Sequence, residues 1–386
     1  MSDAAERKRD PRLDVIRLTA LFFVCATHFY LHSGYTELTM EGPRMFIMTA
    51  AKSFFLICVP MFITLTGYLM CEKKLTARYF KGIIKVLCVY LFSSALYSVY
   101  SVVFLGKEFY PGEFVRTVLK YKGTPYGWYI EMYIGLFLLI PFINMALDKL
   151  NSKKRGLALL LVLFIVIGLP SLANVFSFES KEVFLRPRLA SRYVQILPDW
   201  WEGFYPIFYY CLGWYLKKYP FRPKLGIHIS LLALSVLADG GFNFYKSYGG
   251  PFVSAAWNWN SNPFMMVTTF LFFSLLLRIP VKPAGGKGAA FLKLLSDSVL
   301  GAYLVSVIFD ERYYAILKDA VPAARDRMVY APLPVLATFL SSMAVSILMT
   351  LIIRALSALF ALTGKKIKRE TSKKSAEAGE QNDSSH

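Results

Sequence analysis

The sequence predicts an all-α protein that crosses a membrane about ten times, and three observations carry that prediction. Hydrophobic residues make up 56% of the 386 and charged residues only 18%, whereas a soluble domain holds about 25% charged. Mean hydropathy is +0.45. Apolar runs of spanning length recur along the chain, separated by short segments that carry most of the Lys and Arg. With 32 Phe and 24 Tyr, such a surface is well solvated by lipid and poorly by water.

A spanning helix needs about 20 mainly apolar residues. That length places helices near 13–32, 46–70, 83–105, 127–147, 156–174, 200–216, 225–242, 264–280, 293–310 and 333–362. Helices are required because unpaired backbone groups find no partner in hydrocarbon. The first run follows a polar, basic start and lacks an A-x-A cleavage site, so it reads as a retained helix and not a signal peptide. Pro206, Asp239 and Pro263 crowd the ends of the sixth, seventh and eighth.

Basic residues set the expected orientation. With the amino terminus cytoplasmic, Arg7, Lys8, Arg9 and Arg12 lie inside, followed by Lys73, Lys74, Arg78, Lys81 and Lys85, with further basic loops near 149–155, 217–224 and 278–293. Both termini are therefore expected inside. The chain divides into a cytoplasmic basic amino terminus (1–12), a transmembrane domain (13–362) and a tail (363–386) too poor in apolar residues to pack, where disorder is expected.

The formal net charge of +19 is accounted for by this loop pattern, so no nucleic-acid partner is expected; the partner is the lipid bilayer. All five cysteines fall in or beside apolar segments, which predicts free thiols. No Cys/His spacing matches a zinc site, so no metal is expected.

The chemistry concentrates in the first helix, RLDVIRLTALFFVCATHFYLH. Ionisable groups within a span are costly and face the protein interior or a watery cavity. Asp14 and Arg17, three apart, can pair on one face. Arg17 and His28 are eleven apart, nearly the same face about 16 Å further along. A fixed cation near the cytoplasm suits an anionic donor, with Asp14 orienting it, and a neutral imidazole deeper in suits proton abstraction from a hydroxyl. The plain alternatives are a core histidine at His28 and a snorkelling arginine at Arg17. His32, one turn after His28, is a further histidine on that face with no third metal ligand in sight.

The segments 198–206 (PDWWEGFYP) and 239–263 mix aromatics with Asn, Asp and Gly, as interface belts do and as sugar-binding surfaces do. Trp200 and Trp201 are candidate substrate residues on that ground. Trp128 and Glu131, at the outer end of the fourth helix, are candidates for the acceptor pocket; Glu131 is expected buried, either there or paired with a buried base. The same inventory of intramembrane Asp, Arg, His and Glu also describes a proton-coupled carrier or flippase, although paired broken helices in corresponding halves are not seen.

The pattern R-x-D-x-x-R at 12–17, with His28 after ten intervening residues, resembles the first helix of the acyltransferase family 3 proteins. The likeness continues in order through VPMFITLTGYLM (59–70), RYFKGIIKVLCVYL (78–91), GWYIEMYIGLFLLIP (127–141) and LSDSVLGAYLVS (295–306), covering about 12 to 362. Resemblance to this family implies a multi-pass enzyme of a bacterial plasma or inner membrane. It implies transfer of an acyl group, usually acetyl, from acetyl-CoA or another acyl-CoA to a surface or cell-envelope glycan or lipid-linked sugar. It also implies that Arg17 and His28 are the essential pair and that Arg78 and Lys81, with Lys85, bind the donor. Lys81 stands where the family often has a second arginine, which keeps the charge and loses the fork. Ser306 stands where many members have histidine, so any role of that histidine falls here on His28.

Overall fold

Among the described residues, ten helices of fourteen residues or more follow one another in chain order: α1 Pro11–His32, α2 Gly42–Met70, α3 Ala77–Leu105, α4 Trp128–Leu147, α5 Lys153–Ala173, α6 Tyr205–Lys218, α7 Leu225–Ser247, α8 Pro263–Leu276, α9 Gly286–Ala320 and α10 Pro332–Asp383. The computed structural model describes residues 9–190, 192–280 and 286–383, with side-chain surroundings as far as Ser357. Arg7, Lys8 and Lys282, counted above among the inside charges, lie outside the described residues. Among those described there is no sheet, only an isolated bridge between Met40 and Tyr248. Among the described residues, eight helices are long and apolar enough to cross a bilayer. The two others, α6 and α8, are 14 residues each, below the usual spanning length, and both are largely buried.

Local chemistry explains the boundaries. Asp10 caps α1 by accepting from the Arg12 amide at 3.0 Å, and Pro11 stands in the first turn, where no intrahelical donor is needed. Gly34, at φ 85°, turns the chain out of the helix. The continuous helix expected over 46–70 is broken at Leu56–Ile57, between Gly42–Phe55 and Cys58–Met70. Pro60 has no amide hydrogen to give the Leu56 carbonyl, so the helix must restart there. α10 continues as helix beyond its spanning part to Asp383, where composition alone predicts disorder. Its Lys, Glu, Ala and Gln are good helix formers, and a shortage of apolar residues argues against packing, not against helix.

α1 is the centre of the bundle. It packs against both halves of α2 and against α9 and α10, with Ile16, Ala20, Leu21 and Val24 fully or almost fully buried. Phe23 stacks on Phe272 of α8 at 5.4 Å and meets Phe54 and Phe55 of α2 edge-on. The second half of α2 lies against α6 with no room for side chains at the crossing. A Cβ on Gly67 would fall on the Tyr210 carbonyl, and one on Gly213 on the Thr64 carbonyl. Small residues serve membrane helix contacts in this way. Gly213→Ala is therefore expected to destabilise the protein by about 1–3 kcal/mol, read as a lower melting temperature in detergent. Gly135→Ala, where no atom lies within 4 Å of the added carbon, should leave it unchanged.

Candidate active site

His28 projects from α1 and Asp310 from α9, 282 residues later. The His28 Nδ1 and Asp310 Oδ2 are 2.7 Å apart, and the aspartate is fully buried. Tyr126, in the turn before α4, stacks on the His28 ring at 4.2 Å, and its hydroxyl donates to the same Asp310 oxygen at 2.8 Å. Having donated there, that hydroxyl can only accept from His32 Nε2, 3.1 Å away. The four side chains thus form one network with Asp310 at its focus. Its backbone is fixed from α9, where Tyr303 donates to the Tyr126 carbonyl at 3.0 Å and Thr124 donates to Leu304 at 3.1 Å. With Nδ1–H directed at a carboxylate, the basic nitrogen of His28 is Nε2.

Two cavities meet beside this network. One, of about 330 Å³, is lined by Arg17, Lys85, Ser296, Asp297 and Tyr133 among others. The second, of about 450 Å³, is lined by His28, Trp128, Glu202, Trp259 and Asn260 among others. Val24, Val59 and Tyr303 belong to both walls. The first also shares Arg17, Leu69 and Asp297 with a vestibule that reaches Arg9, Lys73 and Lys217. A row of spaces therefore runs along α1 from Arg9 to His28.

Arg17 occupies the junction of the vestibule and the first cavity. Its Nη1 donates to the neutral Ser296 hydroxyl at 2.6 Å, and among the described residues it makes no ion pair with a carboxylate. The nearby acids are engaged elsewhere: Asp14 with Arg9, Asp10 with Arg12, Glu72 with Lys217 and Asp297 with Arg354. Arg17 is a cation facing a cavity, which suits an anionic ligand.

Several expectations need correction. Asp14 pairs with Arg9, at 2.8 and 2.5 Å, and not with Arg17, because the Arg9 fork reaches back over the helix start in bidentate geometry. Asp14 therefore orients Arg9. Of the basic trio, only Lys85 lines the Arg17 cavity; Arg78 and Lys81 are exposed on the short turn ahead of the main span of α3. Glu131 is exposed and not buried, since it faces outward in the first turn of α4. Trp128 lines the His28 cavity, while Trp200 and Trp201 are exposed and line neither cavity. The cavity instead takes Glu202 and Gly203 from the same segment. Ser306 is buried and turns its hydroxyl back to the Tyr303 carbonyl at 2.9 Å, one turn before Asp310.

Asp310, Tyr126, Ser296, Glu202 and Trp259 were not among the candidates. Asp310 had a readable signal, an acid at the end of the expected span 293–310. Glu202 stands on the turn Glu202–Phe204, ahead of α6, where burial, reinforced by Asp199, pushes its carboxyl up to about 7.

A multi-spanning helical bundle thus holds a buried histidine–aspartate pair beside two adjoining cavities. The acyltransferase domain family model matches residues 10–353, most of the chain, and the protein belongs to that family, the integral-membrane acyltransferases resembled by its first helix. No curated protein and no solved structure matches it.

Proposed function

We propose that the protein moves an acyl group, acetyl in the simplest case, from acyl-CoA on the cytoplasmic side to a hydroxyl of a cell-envelope glycan or lipid-linked sugar on the other. The observation that carries this reading is the pair of cavities meeting at Val24, Val59 and Tyr303, with the unpaired cation Arg17 in one and the His28–Asp310 pair at the other. The orientation follows the loop charges: both termini inside, ten crossings with α6 and α8 included, Arg17 nearer the cytoplasm and His28 nearer the outside.

Phosphates of the donor bind at the Arg17 end, with Lys85 and the vestibule lysines Lys73 and Lys217 beside it. The thioester reaches the narrow place between Val24, Val59 and Tyr303. His28 Nε2 takes the proton of the acceptor hydroxyl as its oxygen attacks the thioester carbonyl. The C–S bond then breaks, and the departing sulfur takes the proton from the imidazolium. Asp310 holds the ring in the reactive tautomer and stabilises the imidazolium. Direct transfer needs no acyl-imidazole.

The test is release of free CoA by the protein in nanodiscs, with radiolabelled acetyl-CoA and crude cell-envelope glycan. Release that requires both the glycan and His28 is the expected result. A folded protein that binds no acetyl-CoA would count against the donor and favour a carrier.

A further inference from the structure

We infer that the acceptor is an uncharged, hydroxyl-rich ring and that Glu202 is the side chain that selects it against anionic acceptors. The inference rests on the acyl-transfer reading and narrows the class of its second substrate.

The lining of the His28 cavity carries the argument. Among the described residues that line it, Glu202 is the one carboxyl, and no Lys or Arg contributes to the wall. Trp128, Trp259, Tyr205 and Tyr303 supply broad apolar faces, and Asn260 supplies an amide. Flat faces with a few polar groups fit a ring that is apolar above and below and hydroxylated at its edge. A phosphate, uronate or other acidic sugar would enter facing a carboxyl with no cation to balance it. Like charges brought together in a partly desolvated site are strongly disfavoured.

The protonation of Glu202 sets where this repulsion is full, above about 7. Below about 7 its carboxyl holds a proton and donates to a hydroxyl; above that it is ionised and accepts from one. In both states it bonds a sugar hydroxyl, and in the ionised state it repels an anion. Asp199, the neighbour that helps to raise it, adds negative charge near Glu202.

The opposite wall is built to hold its shape. Asn258 donates to Asn243 at 3.2 Å and to the Val253 carbonyl at 2.9 Å, and Tyr209 donates to the Asn260 carbonyl at 2.8 Å. Behind them Lys246 is fully buried, 4.5 Å from the Trp257 ring centroid and 4.4 Å from that of Tyr193, and bonded to the Val175 carbonyl. That cation is enclosed behind Trp257 and does not line the cavity. It anchors the loop and leaves the pocket without positive charge.

The experiment separates envelope glycan by anion exchange into unretained and retained fractions and offers each to the full-length protein with radiolabelled acetyl-CoA. Wild type is expected to label the unretained, uncharged fraction at least about tenfold more efficiently. Glu202→Lys should move label toward the retained fraction. The isosteric Glu202→Gln should keep the uncharged preference for ring contacts yet narrow the discrimination. Label mainly in the retained fraction, in a reaction that still needs His28, overturns this inference and leaves acyl transfer standing. No label in either fraction, with no His28-dependent CoA release, overturns the acyl-transfer reading and the inference with it.

Discussion

His28→Ala is expected to lower acyl transfer by about 10²–10⁴-fold while the protein still inserts, folds and binds acyl-CoA. The expectation follows from where the histidine stands. Its ring is held between Asp310 at 2.7 Å and the face of Tyr126 at 4.2 Å, and the residue lines the second cavity. Removing the imidazole removes the proton acceptor and leaves Arg17, some 16 Å along the same helix, untouched. Asp310→Asn sharpens the prediction. An amide keeps the shape but can offer its N–H to Nδ1, which would place the imidazole hydrogen on the wrong nitrogen. Transfer should then fall nearly as far as in His28→Ala, and the double variant should be little worse than either alone, since residues that act as one unit are not additive. Tyr126→Phe, which removes only one hydroxyl from the network, should cost less than either. Single-turnover rates with acetyl-CoA check all four proteins.

Arg17→Ala is expected to raise the donor KM by about 10–100-fold, the scale of one charged hydrogen-bonded contact, with a smaller change in kcat. Arg17 differs from Arg9 and Lys217, the ion-paired cations of the vestibule, in having a hydroxyl, Ser296, as its partner and no carboxylate in an ion pair among the described residues. On the proposed reading a bound phosphate would supply the missing charge. Arg17→Lys should recover part of the affinity, because the ammonium keeps the charge and loses the planar fork. Asp14→Asn, by contrast, should act through Arg9 and leave the donor KM within a few-fold of wild type, because Arg9 is the residue to which Asp14 is bound. Isothermal titration with acetyl-CoA separates these variants. A wild-type affinity in Arg17→Ala would remove it from the donor site.

How much of this was legible depends on the range of the interaction. The first helix could be read because its signal is local: a proline and a cap at the start, and ionisable residues in an apolar run. Pro60 marks the break in α2 equally locally. The partner of His28 could not be read, because Asp310 approaches it across 282 residues and no spacing rule relates two helices that distant. Asp310 also looked like a boundary residue, since α9 runs ten residues past the expected end at 310, to Ala320. Glu131 was misplaced for another reason. α4 is apolar around most of its circumference, so its sequence shows no face that must be buried. Trp200 and Trp201 followed the expectation that aromatics make the pocket. The chain turns there so that the carboxyl next to them lines the cavity and the two rings face outward. Asp14 had two basic neighbours within reach, and helical spacing favoured Arg17 over an arginine just outside the helix.

The central claim is that one continuous path carries the acyl group from the Arg17 side to a hydroxyl on the His28 side. The most direct test is transfer across a sealed membrane. Oriented proteoliposomes would hold radiolabelled acetyl-CoA only on the side of the amino terminus and the accepted glycan fraction only on the opposite side. Label on the glycan with free CoA left on the donor side, abolished in His28→Ala, is the result predicted here. Transfer that occurs only when donor and glycan share one side would contradict the account, whatever the residues involved.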